Sequence, residues 1–293
     1  MRIDDPILDA KHHALSDRLR SLGSVLVAFS GGVDSALVLK VSVLALGSQR
    51  VLAVTGRSPA VPASELSSVE RLAAEVGARH EWLDTREFGD ANYLANPENR
   101  CYFCKTELYS QLVPLARQRG LAAVANGVNA DDLGDYRPGL QAAGEHGVHA
   151  PLAEAGIGKE DVRRISRLLG LSIFDKPASP CLSSRVQYGE AITPEKLRRI
   201  DAAETLLRAL GFRECRVRHH DTLARIELPL DELARAVEPS MRARIDAGLR
   251  ELGYLYVTLD LRGFRSGSMN DVLLGRGLTA GLRGGRPRSE PRP

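Results

Sequence analysis

The apolar run Val25-Leu26-Val27-Ala28-Phe29 passes through Ser30-Gly31-Gly32-Val33-Asp34-Ser35 into the apolar-periodic Ala36-Leu37-Val38-Leu39. A β-branched run, a Gly-Gly turn and a helix-period segment predict strand, loop and helix in direct succession. Two glycines let backbone N–H groups approach a polyanion, and the helix start adds its positive dipole end. Ser30 and Ser35 bring hydroxyls beside the amides of Gly31, Gly32 and Val33. A Walker A loop carries Lys before its Ser/Thr; here Asp34 precedes Ser35. The loop therefore reads as a holder for a pyrophosphate leaving group. Asp34 is placed either to cap the helix or, with Mg²⁺, to balance phosphates. The plainer alternative is a turn whose serines only cap a helix.

The flanking pattern extends this unit into a sheet. Pro6 to Leu22 carries Ile7, Leu8, His12, Leu15 and Leu19 at mostly helical spacing. Strands are expected at Val51 to Thr55, His80 to Asp84 and Leu121 to Ala125, and helices at Glu65 to Val76 and Glu160 to Leu169. Alternation of this kind means an α/β fold with a parallel sheet covered on both faces. Ligands in such sheets bind at the carboxyl ends of the strands, which here hold Ser30, Thr55, Gly56 and Asn126. Arg57 and Ser58 follow from the same topology as contacts to adenine or ribose. The polar, acidic stretch Asn126 to Gly139 falls on this rim, either as a solvated loop or as part of the site. Within it Gly127 lies beside the phosphates, Asp132 and Asp135 are candidate Mg²⁺ ligands, and Arg137 suits a phosphate or carboxylate.

Four cysteines, two of them in Cys101-x-x-Cys104, suit metal or redox chemistry in a reducing compartment better than a disulfide frame. Leu108, Leu112 and Leu115 continue as a helix, so this pair falls at its first turn or just before, where the dipole favours a thiolate. The spacing lets two sulfurs face one metal. It is equally compatible with half a zinc site, a redox dithiol or two buried thiols. Cys181 lies in Lys176-Pro177-Ala178-Ser179-Pro180-Cys181-Leu182-Ser183-Ser184-Arg185, where two prolines argue against a helix and hydroxyls and an Arg favour a thiolate. Cys215 sits in an expected strand and reads as core.

From Thr193 the character changes. A helix from Thr193-Pro194 to about Leu210, strands at Glu214 to Arg218 and Leu223 to Leu228, a helix from Asp231 to Leu252 and a strand at Leu255 to Leu259 make a second, α+β domain. Arg265 and Ser266 close it in a small-residue stretch suited to phosphate. The boundaries expected are 1–185, 186–274 and a disordered Gly/Arg/Pro tail at 275–293.

Composition limits the partners. The net charge is +3 with an isoelectric point near 8.7, but the tail from Arg276 holds five Arg and one Glu. Removing its +4 leaves the preceding chain at −1, which weighs against a nucleic-acid partner. No stretch approaches the roughly 18 apolar residues of a membrane span, and the first residues are not a secretory signal. The expected location is the cytoplasm.

The string Ser30 to Ser35 resembles the signature of the PP-loop ATP pyrophosphatases, which cleave ATP between the α and β phosphates. Taken with Asp135-Tyr136-Arg137-Pro138-Gly139, the Cys181 to Arg185 loop, Tyr188-Gly189, Arg216-Val217-Arg218, Ala224-Arg225-Ile226-Glu227 and Thr258-Leu259-Asp260, the chain to about Asn270 resembles the LarE family of ATP-dependent sulfur transferases. The resemblance implies a Rossmann-like PP-loop domain, of the adenine nucleotide alpha hydrolase type, with a smaller C-terminal α+β domain. It implies ATP with Mg²⁺, adenylylation of a pyridinium carboxylate on a mononucleotide and displacement of AMP by sulfur. One branch of the family consumes a lone cysteine, and the other holds a 4Fe-4S cluster on three. With Cys101, Cys104 and Cys181 this chain resembles the cluster branch, whose open iron can carry a sulfide. Sulfur from Cys181 itself is the other source. The resemblance matches Arg216 and Arg218 to substrate phosphate or carboxylate, Ser184 and Arg185 to substrate binding, and Glu204 and Glu227 to the acidic positions of the substrate pocket. It also implies a homo-oligomer. Two other readings remain at this stage: a PP-loop tRNA thiolation enzyme, and a nucleotide-binding protein with a structural zinc site completed by His219 or His220.

Overall fold

The computed structural model describes residues 4–134 and 138–265. The expected tail at 275–293 lies outside the described residues. Seven strands are present: β1 Val25–Ala28, β2 Val51–Arg57, β3 Arg79–Asp84, β4 Ala123–Ala125, β5 Arg216–His220, β6 Leu223–Glu227 and β7 Tyr256–Leu259. The helices are α1 Pro6–Leu22, α2 Val33–Leu46, α3 Ala63–Val76, α4 Ala91–Leu94, α5 Arg100–Gln118, α6 Pro138–Glu145, α7 Pro151–Glu154, α8 Lys159–Leu168, α9 Pro194–Ala209, α10 Leu233–Val237 and α11 Pro239–Glu251. They group into two compact units, one of residues up to 183 with 188–198, the other of residues 184–187 and from 199 onward.

The first unit is an α/β layer structure on a parallel sheet in the order β3-β2-β1-β4. Alternation along β1 divides the core: Val25 and Val27 pack with Leu8, Leu15, Leu19, Val162 and Ile165, whereas Leu26 packs with Leu52, Val54, Tyr109, Leu112 and Val124. Burial on both faces is why β1 and β2 read as unbroken apolar runs rather than alternating ones. The register Val25↔Val51 and Val25↔Ala123 brings the carboxyl ends of β1, β2 and β4 level, and so fixes the site's rim.

The second unit carries β5 antiparallel to β6 and β6 parallel to β7, over a core of Leu207, Phe212, Val217, Ile226, Leu249 and Tyr254. The single helix expected from Asp231 to Leu252 is two, because Pro239 forces Glu238 to an extended ψ of 138° and ends α10 there. The stretch after Gly134, expected as loop up to Gly139, becomes helical at Pro138, where proline's missing N–H costs a first turn nothing. Among the described residues no helix is long and apolar enough to cross a membrane.

Candidate active site

The loop between β1 and α2 is locked by its own side chains. Ser30 Oγ and Ser35 Oγ lie 3.1 Å apart in a hydrogen bond, the Ser30 amide donates to Ser35 Oγ, the Gly32 amide donates to Ser30 Oγ, and Ser35 Oγ donates to Gly32 O. Gly31 has φ +73°, and a Cβ there would stand 2.9 Å from Val69 Cγ2, so both the turn and α3 demand glycine. Gly32 is the N-cap of α2 and offers no side-chain cap bond to the amides of the first turn. Gly127 presses against this turn: its Cβ would meet Ser35 N at 2.6 Å.

Asp34 faces the acidic stretch after β4. Asn129 Nδ2 donates to its Oδ1 at 3.1 Å, and Lys159 Nζ, at the start of α8, pairs with its Oδ2. The Asn129 amide donates to Asp132 Oδ2, and the Lys159 amide to Asp131 Oδ2. Lys176 Nζ reaches from the other side, donating to Gly31 O at 3.2 Å and Glu65 Oε2 at 2.6 Å. The two lysines and Asn129 had no role in the sequence reading; Lys159, in Gly158-Lys159-Glu160-Asp161, looks like any charged helix start. Thr55 is placed otherwise than expected: buried, it donates to Phe29 O at 2.6 Å and meets His80 Nε2 at 2.9 Å, so its hydroxyl braces β1. Arg57 lies on the rim, paired with Asp84 and stacked on Trp82, and Ser58 Oγ accepts from the Ala60 amide. Arg137 and Ser266 lie outside the described residues.

The cysteine corner belongs to the same unit. Cys101 lies in the first turn of α5 and is exposed; Cys104, one turn on, faces the same side and is partly buried. The helix-dipole expectation fails for Cys104, because burial pushes its thiol up to about 12 against the pull of Lys105. Cys181 is within electrostatic reach of Cys104, Tyr93, Arg100 and Lys105. Burial works against charge on Arg100, yet the Cys181 and Cys101 sulfurs outweigh it and hold the guanidinium above its ordinary pKa. Lys105, over the Tyr109 ring, is raised in the same way by Tyr109 and the three sulfurs against the effect of burial. Among the described residues neither cation has a carboxylate partner, and no three His, Cys, Asp or Glu side chains gather closely enough for a single metal ion. The three thiols thus lie within electrostatic reach of the same two cations.

The second unit holds the arginine network. Arg185, 1% exposed, grips Glu204, 0% exposed, through Nε at 2.8 Å and Nη2 at 3.1 Å, and Arg208 joins at 2.9 Å. Arg218 grips Glu227 at 2.9 and 2.8 Å and donates to Ser184 O, while Arg225 bridges Glu227 and Asp260. Arg185 Nη1 donates to Ser184 Oγ. Arg216 stacks on Phe264, and burial together with the Arg185 charge lowers its pKa. Arg265 follows Phe264, half-buried. Cys215 is buried, and burial takes its thiol to about 11, as a core residue should show. His219 is buried with Nδ1 on Tyr254 Oη.

The NAD synthase family model matches residues 8–100, the segment that contains the phosphate loop. The chain is 49% identical over 267 residues to an uncharacterized protein of Synechocystis sp., covering 91% of this chain and 99% of that one. An uncharacterized protein of Methanocaldococcus jannaschii is 28% identical over 83% of this chain and 91% of its own length. The pyridinium-3,5-bisthiocarboxylic acid mononucleotide synthase of Lactiplantibacillus plantarum is 41% identical over 266 residues, 91% of this chain and 96% of that enzyme. At that identity, over nine-tenths of both chains, the chain belongs to the LarE family, that of the pyridinium-3,5-bisthiocarboxylic acid mononucleotide synthases.

Proposed function

We propose that this chain is an ATP-dependent sulfurtransferase that adenylylates a carboxylate of pyridinium-3,5-biscarboxylic acid mononucleotide, releases pyrophosphate, and exchanges AMP for sulfur to leave a thiocarboxylate. The observation that carries the reading is the three-thiol corner with two cations that have no carboxylate partner among the described residues, in the same unit as a Gly-Gly loop suited to pyrophosphate. The amides at the start of α2, with Ser30 and Ser35, would hold the leaving phosphates, and Lys159 and Lys176 stand ready to neutralise charge on them. Asp34, with Asp132 close behind it through Asn129, would take Mg²⁺, which asks for few carboxylates beyond the phosphates and water. Adenylylation turns a poor oxygen leaving group into AMP.

Cys101, Cys104 and Cys181 would hold a 4Fe-4S cluster, which supplies sulfide for transfer at an iron that no cysteine occupies. Arg100 and Lys105 balance the thiolate charge. Arg185, Arg216 and Arg218, with Ser184, Glu204 and Glu227, would form the pocket for the mononucleotide's phosphate and carboxylates; bidentate pairing fixes the orientation of the Arg185 and Arg218 guanidinia, and stacking on Phe264 that of Arg216. Arg265 and Ser266 belong to the same anion-handling set, and Arg57, Ser58 and Arg137 to the ATP side. The enzyme is expected to work in the cytoplasm as a homo-oligomer, and exposed Leu255 and Tyr256 at β7, an edge strand, support the second point.

The test is anaerobic reconstitution with iron and sulfide, then turnover with ATP, Mg²⁺ and the pyridinium dicarboxylate nucleotide. The reading expects a broad visible absorption band lost in Cys101→Ser, Cys104→Ser and Cys181→Ser, substrate-dependent pyrophosphate release, and an unchanged chain mass. A chain lighter by one H₂S, with no band, would assign the sulfur to Cys181. Absence of substrate-dependent pyrophosphate would overturn the transferase reading altogether.

A further inference from the structure

Arg100 is 3% exposed, a buried cation whose acceptors are neutral: Nη1 donates to Asn96 Oδ1 at 2.6 Å and to Ser183 O at 2.9 Å, and Nη2 stands 4.0 Å from Cys101 Sγ. Ser183 O is two residues past Cys181, whereas Arg100 opens the helix that carries Cys101 and Cys104. One guanidinium therefore touches both sides of the cysteine corner. Around it the segment after Cys181 is fastened at several further points. Tyr93 Oη and Ser183 Oγ share a hydrogen bond of 2.7 Å, the Leu182 amide donates to Ala60 O, the Gly189 amide to Asn96 O, the Ile192 amide to Leu94 O, and Asn96 Nδ2 to Glu190 O. Asn96 itself is 0% exposed with φ +52°, a conformation that Asn tolerates better than other side-chain-bearing residues.

We infer that Arg100 is a positioning residue for sulfur transfer: with Asn96 it clamps the Cys181 segment to the start of α5, setting where the third sulfur stands relative to the other two. The clamp is built before any iron arrives, because its bonds run through main-chain oxygen and amide side chains. A lysine cannot replace it fully, since one ammonium on a flexible stem does not reproduce a planar fork spanning two acceptors and a sulfur. The buried charge also makes the corner complete only with its thiolates, because no carboxylate among the described residues offsets it.

This inference rests on the cysteine-cluster reading for its function but not for its first readout. Hydrogen–deuterium exchange on the metal-free full chain follows the amides of Leu182, Gly189 and Ile192, with those of β1 as the internal standard. Bonds to a charged donor carry enough stability that their loss speeds local opening roughly tenfold or more. Arg100→Gln is expected to raise exchange at the three amides by that factor while β1 is unchanged, Arg100→Lys to fall between, and iron bound per chain after reconstitution to drop in the same order. Should Arg100→Gln fail to fold, Asn96→Gly keeps the positive φ, removes the Oδ1 acceptor and the Glu190 bond, and is expected to act in the same direction. Wild-type exchange in both variants overturns the clamp. Altered exchange together with a wild-type chain that binds no iron leaves the clamp standing and overturns the cluster reading instead.

Discussion

Gly127 stands where the loop after β4 meets the start of α2, and replacing it with alanine probes the phosphate site through shape alone. The added Cβ would lie 2.6 Å from Ser35 N, 2.9 Å from Ser35 Cα and 3.0 Å from Asp34 C. All three are backbone atoms, so no flexible side chain can swing aside. Ordinary contact begins at 3.4 Å, and relief from 2.6 Å needs a shift of about 0.8 Å in the turn whose amides are proposed to hold the phosphates. Displacement of this size in a positioning element costs roughly 10²-fold in rate, equal to about 2.7 kcal/mol of barrier. Overpacking costs a further 1–3 kcal/mol or so of folding stability. The assay is substrate-dependent pyrophosphate release, with ATP affinity by calorimetry and urea unfolding alongside. Gly144→Ala is the control: it is helical and exposed with nothing within 4 Å of its Cβ, and is expected to stabilise by roughly 0.4–1 kcal/mol at unchanged activity. Gly127→Ala with ATP affinity and pyrophosphate release within twofold of wild type would refute the assignment of this turn to the phosphates.

Other outcomes follow from the charges. Burial sets the Cys104 thiol at about 12 and that of Cys215 at about 11, so in metal-free protein their thiolates are scarce at pH 8. Alkylation of both, followed by mass spectrometry, is expected to rise about tenfold per pH unit from 8 to 10; a plateau near pH 9 would contradict the burial. Glu204→Gln keeps shape but strips the charge between Arg185 and Arg208, and is expected to cost about 3–5 kcal/mol at pH 7 in urea unfolding. Burial opposes that charge, but Arg185, Arg216 and Arg208 prevail and hold the carboxyl below its ordinary 4.5. Its stabilisation is complete above that ordinary value and fades as pH falls through the lowered one, so the penalty should shrink at pH 3; a penalty independent of pH would refute the pairing. Lys176→Met removes a cation from beside Gly31 and should weaken ATP binding roughly tenfold, by loss of one charge-assisted bond; unchanged affinity would place Lys176 in a purely structural pair with Glu65.

The sheet was legible because burial on both faces writes itself into composition: Val25 to Phe29 and Val51 to Thr55 are apolar without interruption, and only a covered parallel sheet tolerates that. The turn between β1 and α2 was legible because Gly31 answers a backbone demand that few other residues meet. Thr55 shows the limit. Its place at the end of β2 was readable, but the direction of its hydroxyl, inward to Phe29 O, depends on the β1–β2 register and on His80 from β3. Lys159 and Lys176 were illegible for a similar reason: they meet Asp34 and Gly31 across separations of 125 and 145 residues, and nothing local distinguishes them from solvated lysines. Pro239 was a missed local signal, since the residue before a proline leaves the helical region and divides α10 from α11. The raised Cys104 thiol was hidden because a helix start and burial push a thiol in opposite directions, and only packing decides between them.

The two places in the first unit proposed to hold anions differ in how their cations are kept. At the phosphate loop Lys159 is held by Asp34, and Lys176 by Glu65 and Gly31 O. These pairs are half-buried, in the range where an ion pair contributes on the order of 1 kcal/mol or less, so an arriving polyphosphate with Mg²⁺ can exchange partners at small cost. On the proposed reading ATP would bind and leave in every cycle, and weak, exchangeable pairs are what such traffic needs. In the cysteine corner Arg100 and Lys105 have no carboxylate to give up among the described residues, and the burial of Arg100 makes its charge costly until thiolates form beside it. An arrangement that is incomplete without its anions favours a ligand that stays. Under the proposed function the same unit would hold a site for turnover and a site for retention, a division that suits a nucleotide that is consumed and a cluster that persists.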